Sequence, residues 1–281
     1  MTAPIATPSP APTRAGRNLP AAILVGCSLG ALVLVSLFIR KEAFLVVLVA
    51  ALALAVWELR GGIEHGHVRA PLLPALVGAV AMPVAAYLRG GQALIACFGL
   101  AVMAMLLWRL VDGRTDAVRD VSGGVFVSGY VSFLGSFAAL MLAEPDGPQR
   151  VFVFILLTVC SDVGGYAVGV LAGRHPMAPS ISPKKSWEGT CGSALACVLG
   201  GVIGIPLALG GPWWAGVVAG LAVVLAATVG DLSESTIKRD LGIKDMGSIL
   251  PGHGGIMDRL DSLLLVAPVV WAVLAAFVRP S

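Results

Sequence analysis

From Pro212 to Lys238 the chain reads PWWAGVVAGLAVVLAATVGDLSESTIK. Residues 212–230 carry no charge, and a helix of about 20 apolar residues crosses the hydrocarbon core of a bilayer. At Asp231 the character changes. Asp231, Glu234, Ser235 and Lys238 fall at i, i+3, i+4 and i+7, which puts them on one helical face. This stretch therefore predicts a membrane-spanning helix that runs on past Gly230 with a polar face. A solvated face with local ion pairs is the plainer account of those four residues. Against it, Asp231 follows the apolar run without a break and so starts close to the membrane.

The rest of the chain agrees. Of 281 residues 57% are hydrophobic and 12% charged, where a soluble domain carries about 25% charged. An all-α polytopic membrane protein is expected, with nine spans at 19–39, 43–59, 70–88, 92–108, 121–143, 151–171, 189–209, 212–230 and 257–278. The second is short, and the first two read equally well as a tight hairpin. Residues 1–18, rich in Pro, Ala and Thr, are expected to be a disordered tail. The run 19–39 exceeds the roughly 7–15 residues of a signal-peptide core and reads as a retained helix.

Orientation follows Lys and Arg in short loops. Alternating spans leave only Arg40, Lys41, Arg89, Arg150 and Arg279 of the 19 basic residues on one side. The other side, with the N-terminus and both polar loops of the second half, is expected to face the cytoplasm from the cell membrane. The C-terminus is then outside. Net charge is a modest +3, and no nucleic-acid partner is expected. The five cysteines lack metal-ligand spacing and read as small buried hydrophobes. Spans one to five look nearly free of buried charge, and there is no convincing internal repeat.

The second half is different. Asp162 lies inside an apolar run, and Asp258 and Asp261 open the last span. An acid facing lipid costs about 2.5–3.5 kcal/mol on insertion scales, so Asp162, Asp231, Glu234, Asp258 and Asp261 should face protein, water or a cation. A lone Asp162 could serve helix packing, and an acid at a helix N-terminus complements its dipole. Five acids together are better explained by a shared polar cavity. Between Lys238 and Asp258 lie Arg239, Lys244, Asp245 and the run Pro251-Gly252-His253-Gly254-Gly255. Glycines let backbone N–H groups approach an anion. Carboxylates with bases and a Gly-rich loop suit a nucleoside triphosphate with Mg²⁺, the acids holding the hard cation and the bases the phosphates. A third polar segment, Ser182-Pro183-Lys184-Lys185-Ser186-Trp187-Glu188-Gly189, lies on the same expected side. Its lysines suit a lipid phosphate and its Trp the membrane interface, although a simple anchoring role accounts for both.

Residues 235–261 resemble the signature of phosphatidate cytidylyltransferases, the CDP-diacylglycerol synthases. The matching positions are Ser235, Ile237, Lys238, Arg239, Lys244, Asp245, Gly247, Leu250, Pro251, His253, Gly254, Gly255, Ile256, Asp258, Arg259, Leu260 and Asp261. Ser161-Asp162 with Gly165-Tyr166, and Ser182 to Lys185 with Trp187-Glu188-Gly189, look like the family too. Ser186 stands where Thr is more frequent and keeps the hydroxyl. The likeness covers about residues 150–270, and the first half matches only as hydrophobic spans.

The resemblance implies a membrane enzyme that condenses CTP with phosphatidic acid to give CDP-diacylglycerol and pyrophosphate. Residues 19–149 would be N-terminal spans and 150–281 the catalytic region, with polar loops at 172–188 and 238–256. By carry-over Asp231 and Asp258 are the expected Mg²⁺ ligands. Asp162 and Asp261 would be outer ligands or serve a second cation. Lys238, Arg239 and His253 would contact the CTP phosphates or the leaving pyrophosphate. Ser182, Lys184 and Lys185 would seat the lipid phosphate. Ser235, Lys244, Gly254, Gly255 and Arg259 complete the expected substrate-binding set, and a homodimer is compatible with the likeness. Two other functions use similar residues. A CTP-dependent lipid or polyprenol kinase would share the nucleotide site, and charge pattern does not separate it. A cation-coupled transporter would scatter acids along a route, whereas here they gather on one face.

Overall fold

The computed structural model describes residues 19–113, 115–249 and 254–280, with side chains from Gly26 onward. The tail expected at residues 1–18 lies outside the described residues. Apart from one small hairpin, the described elements are helical. Long apolar runs favour this, since a chain in lipid must satisfy its backbone within each segment. In chain order they are α1 (Leu19–Ile39), α2 (Lys41–Ile63), α3 (Leu72–Arg89), α4 (Gly91–Asp112) and α5 (Ala117–Val127). A π-helical turn at Ser128–Phe133 joins α5 to α6 (Leu134–Ala143) in one rod. Then come α7 (Gly147–Ala172), β1 (Pro176–Ala178), β2 (Ser182–Ser186), α8 (Trp187–Leu209), α9 (Trp213–Asp240) and α10 (Met257–Phe277).

Eight of the described rods are long and apolar enough to cross a membrane, and α1 is a further apolar helix, in line with the expected spans. Three expectations change. The second span is not short, because α2 continues through Arg60 to Ile63 and a further 3₁₀ turn to Gly66. It still pairs tightly with α1 through the extended Arg40 (φ −152°, ψ 136°). The first half is not free of buried charge, since Glu58, Arg109 and Asp120 are all buried. Arg109 pairs with Asp120 and, at 2.6 Å, with Asp112, so these charges neutralise one another near span ends, whereas Glu58 has no such ion pair among the described residues. Of the cysteines only Cys197 is buried, its thiol 3.3 Å from the Leu157 carbonyl, and Cys27 and Cys191 are exposed. A small side chain on an apolar run can equally face outward.

The second half packs through glycine. A Cβ at Gly216 would overlap the backbone of Gly201, so α8 and α9 touch main chain to main chain. A Cβ at Gly164 would lie 2.6 Å from the Gly192 carbonyl oxygen, so α7 and α8 do the same. Lipid supplies no hydrophobic drive between helices, and close backbone approach provides the van der Waals contact instead. One cluster of buried residues, with Leu157, Val223, Val266 and Val270, binds α7, α9 and α10. A second, with Leu59, Met105, Met246, Met257 and Leu264, brings α2 and α4 against the segment that follows α9. The first half of the chain is thus the floor of the polar region.

Candidate active site

Asp231 sits on α9 where the apolar run ends, and the helix continues to Asp240 as its polar face predicts. Gly230 makes the neighbouring contact possible. A Cβ there would stand 2.7 Å from the Asp261 carbonyl oxygen and 3.0 Å from Ser262 Cα, so α10 crosses α9 at that residue. The crossing brings Asp261 beside both Asp231 and Glu234. Glu234 is 2% exposed, and its Oε1 has no hydrogen-bond partner among the described residues.

Lys238, one turn beyond Glu234, places its ammonium 3.0 Å from Glu234 Oε2 and 3.0 Å from Asp258 Oδ1. Asp258 also accepts from the Gly255 amide at 2.8 Å and from the Met246 amide at 3.1 Å. Its carboxylate is therefore engaged by the loop before α10. Gly254, at φ +79°, adopts the left-handed backbone that glycine tolerates. A Cβ on it would come within 3.0 Å of Asp258 Oδ2. Leu250 to His253 lie outside the described residues, so the expected role of His253 has no geometry here.

The polar loop after α7 holds an antiparallel hairpin, with Pro176 opposite Ser186 and Ala178 opposite Ser182. Ser186 caps α8, its hydroxyl accepting from the Gly189 amide at 3.1 Å. Glu188 in the first turn of α8 takes the Arg174 and His175 amides, each at 3.2 Å, and the His175 ring at 2.5 Å. These bonds fix the hairpin to the helix start. Two contacts then join it to α9. The Lys185 ammonium pairs with Asp231, and the Arg239 guanidinium donates to the Ile181 carbonyl.

Behind the Lys185–Asp231 pair is a cavity of about 250 Å³ between α7, α8, α9 and β2. Asp162, Lys184, Lys185, Thr190, Ser193 and Asp231 are part of its polar lining. Glycines at 165, 169 and 189 keep it open on the helix side. So the expected pieces at Asp162, at Lys184-Lys185 and at Asp231 do meet. Lys244 and Arg259 are exposed at the periphery, and Ser182 and Ser235 are half-buried.

Two polar groups from the first half belong to this region and were missed from sequence. Glu58 on α2 accepts from the Met257 amide at 2.8 Å, directly beneath the loop. Tyr130, on the π-helical turn, buries a hydroxyl that has no hydrogen-bond partner among the described residues, and the charges of Glu234, Asp261 and Asp231 act on it. Glu58 had a signal, being an acid within an otherwise apolar stretch. Tyr130 had none.

The donors around Asp231 are oxygens, which suit a hard cation and not a thiolate-seeking metal. Among the described residues no three of His, Cys, Asp and Glu form a cage for a metal by themselves. Asp231, Asp261 and Glu234 form a row instead. Adjacent carboxylates repel unless a cation or proton intervenes. Mg²⁺ fits such a row, because it takes one or two carboxylates and completes its shell with water and substrate phosphate.

Comparison with known proteins bears on the same residues. The sequence profile of the cytidylyltransferase family matches residues 20–277. The phosphatidate cytidylyltransferase of Mycobacterium leprae (strain TN) is 40% identical over 277 residues, covering 93% of this chain and 89% of its own. That of Mycobacterium tuberculosis (strain ATCC 25618 / H37Rv) is 39% identical over 280 residues, covering 95% and 85%. That of Brucella suis biovar 1 (strain 1330) is 32% identical over 182 residues, covering 65% and 64%. With the match running almost end to end, this chain belongs to the phosphatidate cytidylyltransferases of the cytidylyltransferase family.

Proposed function

We propose that the cavity between α7, α8 and α9 seats the phosphate of phosphatidic acid while the α9–α10 acids and the loop between them seat CTP, on the cytoplasmic side of the cell membrane. The reaction is that of the family: the cytidylyl group of CTP passes to phosphatidic acid, giving CDP-diacylglycerol and pyrophosphate. A lipid phosphate oxygen attacks the α-phosphorus of CTP. The new P–O bond forms as the bond to the bridging oxygen of the β-phosphate breaks, and pyrophosphate leaves. The attacking oxygen is already anionic at neutral pH, so no general base is required. Transfer of this kind depends on positioning and charge neutralisation.

The observation that carries this arrangement is the Lys185–Asp231 pair, which joins the lysines of the hairpin to the row of acids at the cavity mouth. Lys185 and Lys184 offer charge to a lipid phosphate, and Ser182 a hydroxyl. Asp231 and Asp261 are the pair we assign to Mg²⁺, with Asp162 across the cavity. Bound there, the cation would neutralise charge on the triphosphate. Asp258, held by Lys238 and two backbone amides, is assigned to fixing the loop. Lys238, Arg239 and Arg259 lie on the α9–α10 side, where pyrophosphate would leave. The bias of Lys and Arg toward this side supports a cytoplasmic site, and the exposed apolar helix faces are compatible with a homodimer.

The test is direct. Protein purified in detergent, given radiolabelled CTP, phosphatidic acid and Mg²⁺, should form CDP-lipid and release pyrophosphate in equal amounts. Folded protein that yields no CDP-lipid would sink the reading.

A further inference from the structure

Glu58 lies in the half of the chain that sequence reading treats as a plain membrane anchor. It is 3% exposed, on the last full turns of α2. Its Oε2 accepts from the Met257 amide at 2.8 Å, and the Ile256 amide is also directed at it. Met257 is the first residue of α10, so Glu58 takes up an N–H that the helix itself cannot satisfy. Its charge also complements the positive end of the helix. Its other oxygen, Oε1, is buried with no partner among the described residues.

The loop between α9 and α10 closes over this carboxylate with bare backbone. A Cβ at Gly247 would overlap the Glu58 carboxyl, and so would one at Gly255. Gly62, one turn along α2, faces Met246 in the same way, a Cβ there standing 3.3 Å from the Met246 sulfur. Gly247, Gly255 and Met257 thus all meet one acid from α2. The Gly255 and Met246 amides that hold Asp258 come from that same segment. Asp261 follows one turn later on α10.

We infer that Glu58 is a positioning residue for cytidylyl transfer: it sets the first turn of α10 and the two glycines that meet it, Gly247 and Gly255, and through them the placement of Asp258 and Asp261. A packing acid with no such role would have no reason to face the signature loop from both sides. The inference rests on CTP being bound at the α9–α10 side. It assigns to Glu58 an acceptor role, which an amide oxygen can also fill.

Kinetics of the full-length protein in detergent test it. Glu58→Ala should raise KM for CTP by about 10-fold or more, because small displacements of binding groups have large effects. KM for phosphatidic acid should stay unchanged. Glu58→Gln keeps an acceptor for the Met257 amide and should restore the KM for CTP to near that of the unsubstituted protein. A merely structural role would lower the folded fraction, and so Vmax, without moving either KM. That outcome overturns the inference, as does a Glu58→Gln variant as impaired as Glu58→Ala, which would point to charge and not position. If Glu58→Ala does not fold, Gly247→Ala is read in its place. Its methyl group pushes the loop off an intact Glu58, and an unchanged KM for CTP then overturns the inference. Absence of product from the unsubstituted protein would instead count against the reaction, and the inference with it.

Discussion

Lys238 Nζ lies 3.0 Å from Asp258 Oδ1, which ties the polar end of α9 to the first turn of α10. The same ammonium lies 3.0 Å from Glu234 Oε2, so a single cation stands between two buried acids. Removing it leaves Glu234 without its cation and Asp258 with only its two backbone amides, and truncating one partner of a buried pair costs about 3–5 kcal/mol. Lys238→Ala should therefore lower the thermal midpoint in detergent as well as activity. An unchanged midpoint would show that the pair carries no weight in the fold.

The two acids first expected as a ligand pair can be separated by metal titration. Asp231 stands in the row with Asp261 and Glu234, whereas Asp258 is bonded to Lys238 and to the Met246 and Gly255 amides. Asp231→Asn should raise the Mg²⁺ concentration needed for half-maximal activity by about 10-fold or more, since few protein ligands serve this ion. Asp258→Asn should lose activity with a smaller shift in Mg²⁺ dependence, because its amide group must turn an N–H toward a donor. Equal Mg²⁺ shifts in the two variants would restore Asp258 to the ligand set.

Glycine packing gives a prediction that does not depend on chemistry. Gly216 meets the backbone of Gly201, while Gly99 on α4 has open space where a Cβ would stand. Gly216→Ala should destabilise by about 1–3 kcal/mol, the usual cost of overpacking. Gly99→Ala should be neutral or stabilise by a few tenths to about 1 kcal/mol, as expected for Gly in a helix. Thermal unfolding of both, measured in one detergent, compares them. Equal midpoints would mean that α8 and α9 can separate freely.

The helices were legible because most apolar runs are nearly as long as the spans they form, α2 being the exception, and α9 was legible even past the membrane from the step between Asp231, Glu234 and Lys238. The acids on α9 and α10 could be read for the same reason. What could not be read depends on distant partners. Glu58 meets the Met257 amide across 199 residues, and no local pattern encodes that. The hairpin of β1 and β2 was hidden because Pro183 and two lysines look like a loop, and the Arg174 and His175 amides that lead into it are held by Glu188 from the next helix. The charge pattern alone left cytidylyl transfer and a CTP-dependent kinase side by side. Family membership, and not any single contact, favours the first.

Lys185 offers the sharpest test of where the lipid sits. It pairs with Asp231 at the mouth of the cavity, both side chains being 28% exposed, and Lys184 beside it lines the same space. A lipid phosphate entering there would compete with Asp231 for the ammonium, and Asp231 would be freed toward the cation. Lys185→Ala should then raise KM for phosphatidic acid by about 10-fold, the worth of roughly one charge-assisted hydrogen bond, and leave KM for CTP nearly unchanged. Lys185→Arg, which keeps the charge and adds donors, should recover most of the loss. Initial rates at varied lipid in mixed micelles measure it. A KM for phosphatidic acid that stays constant in Lys185→Ala would move the lipid phosphate out of this cavity.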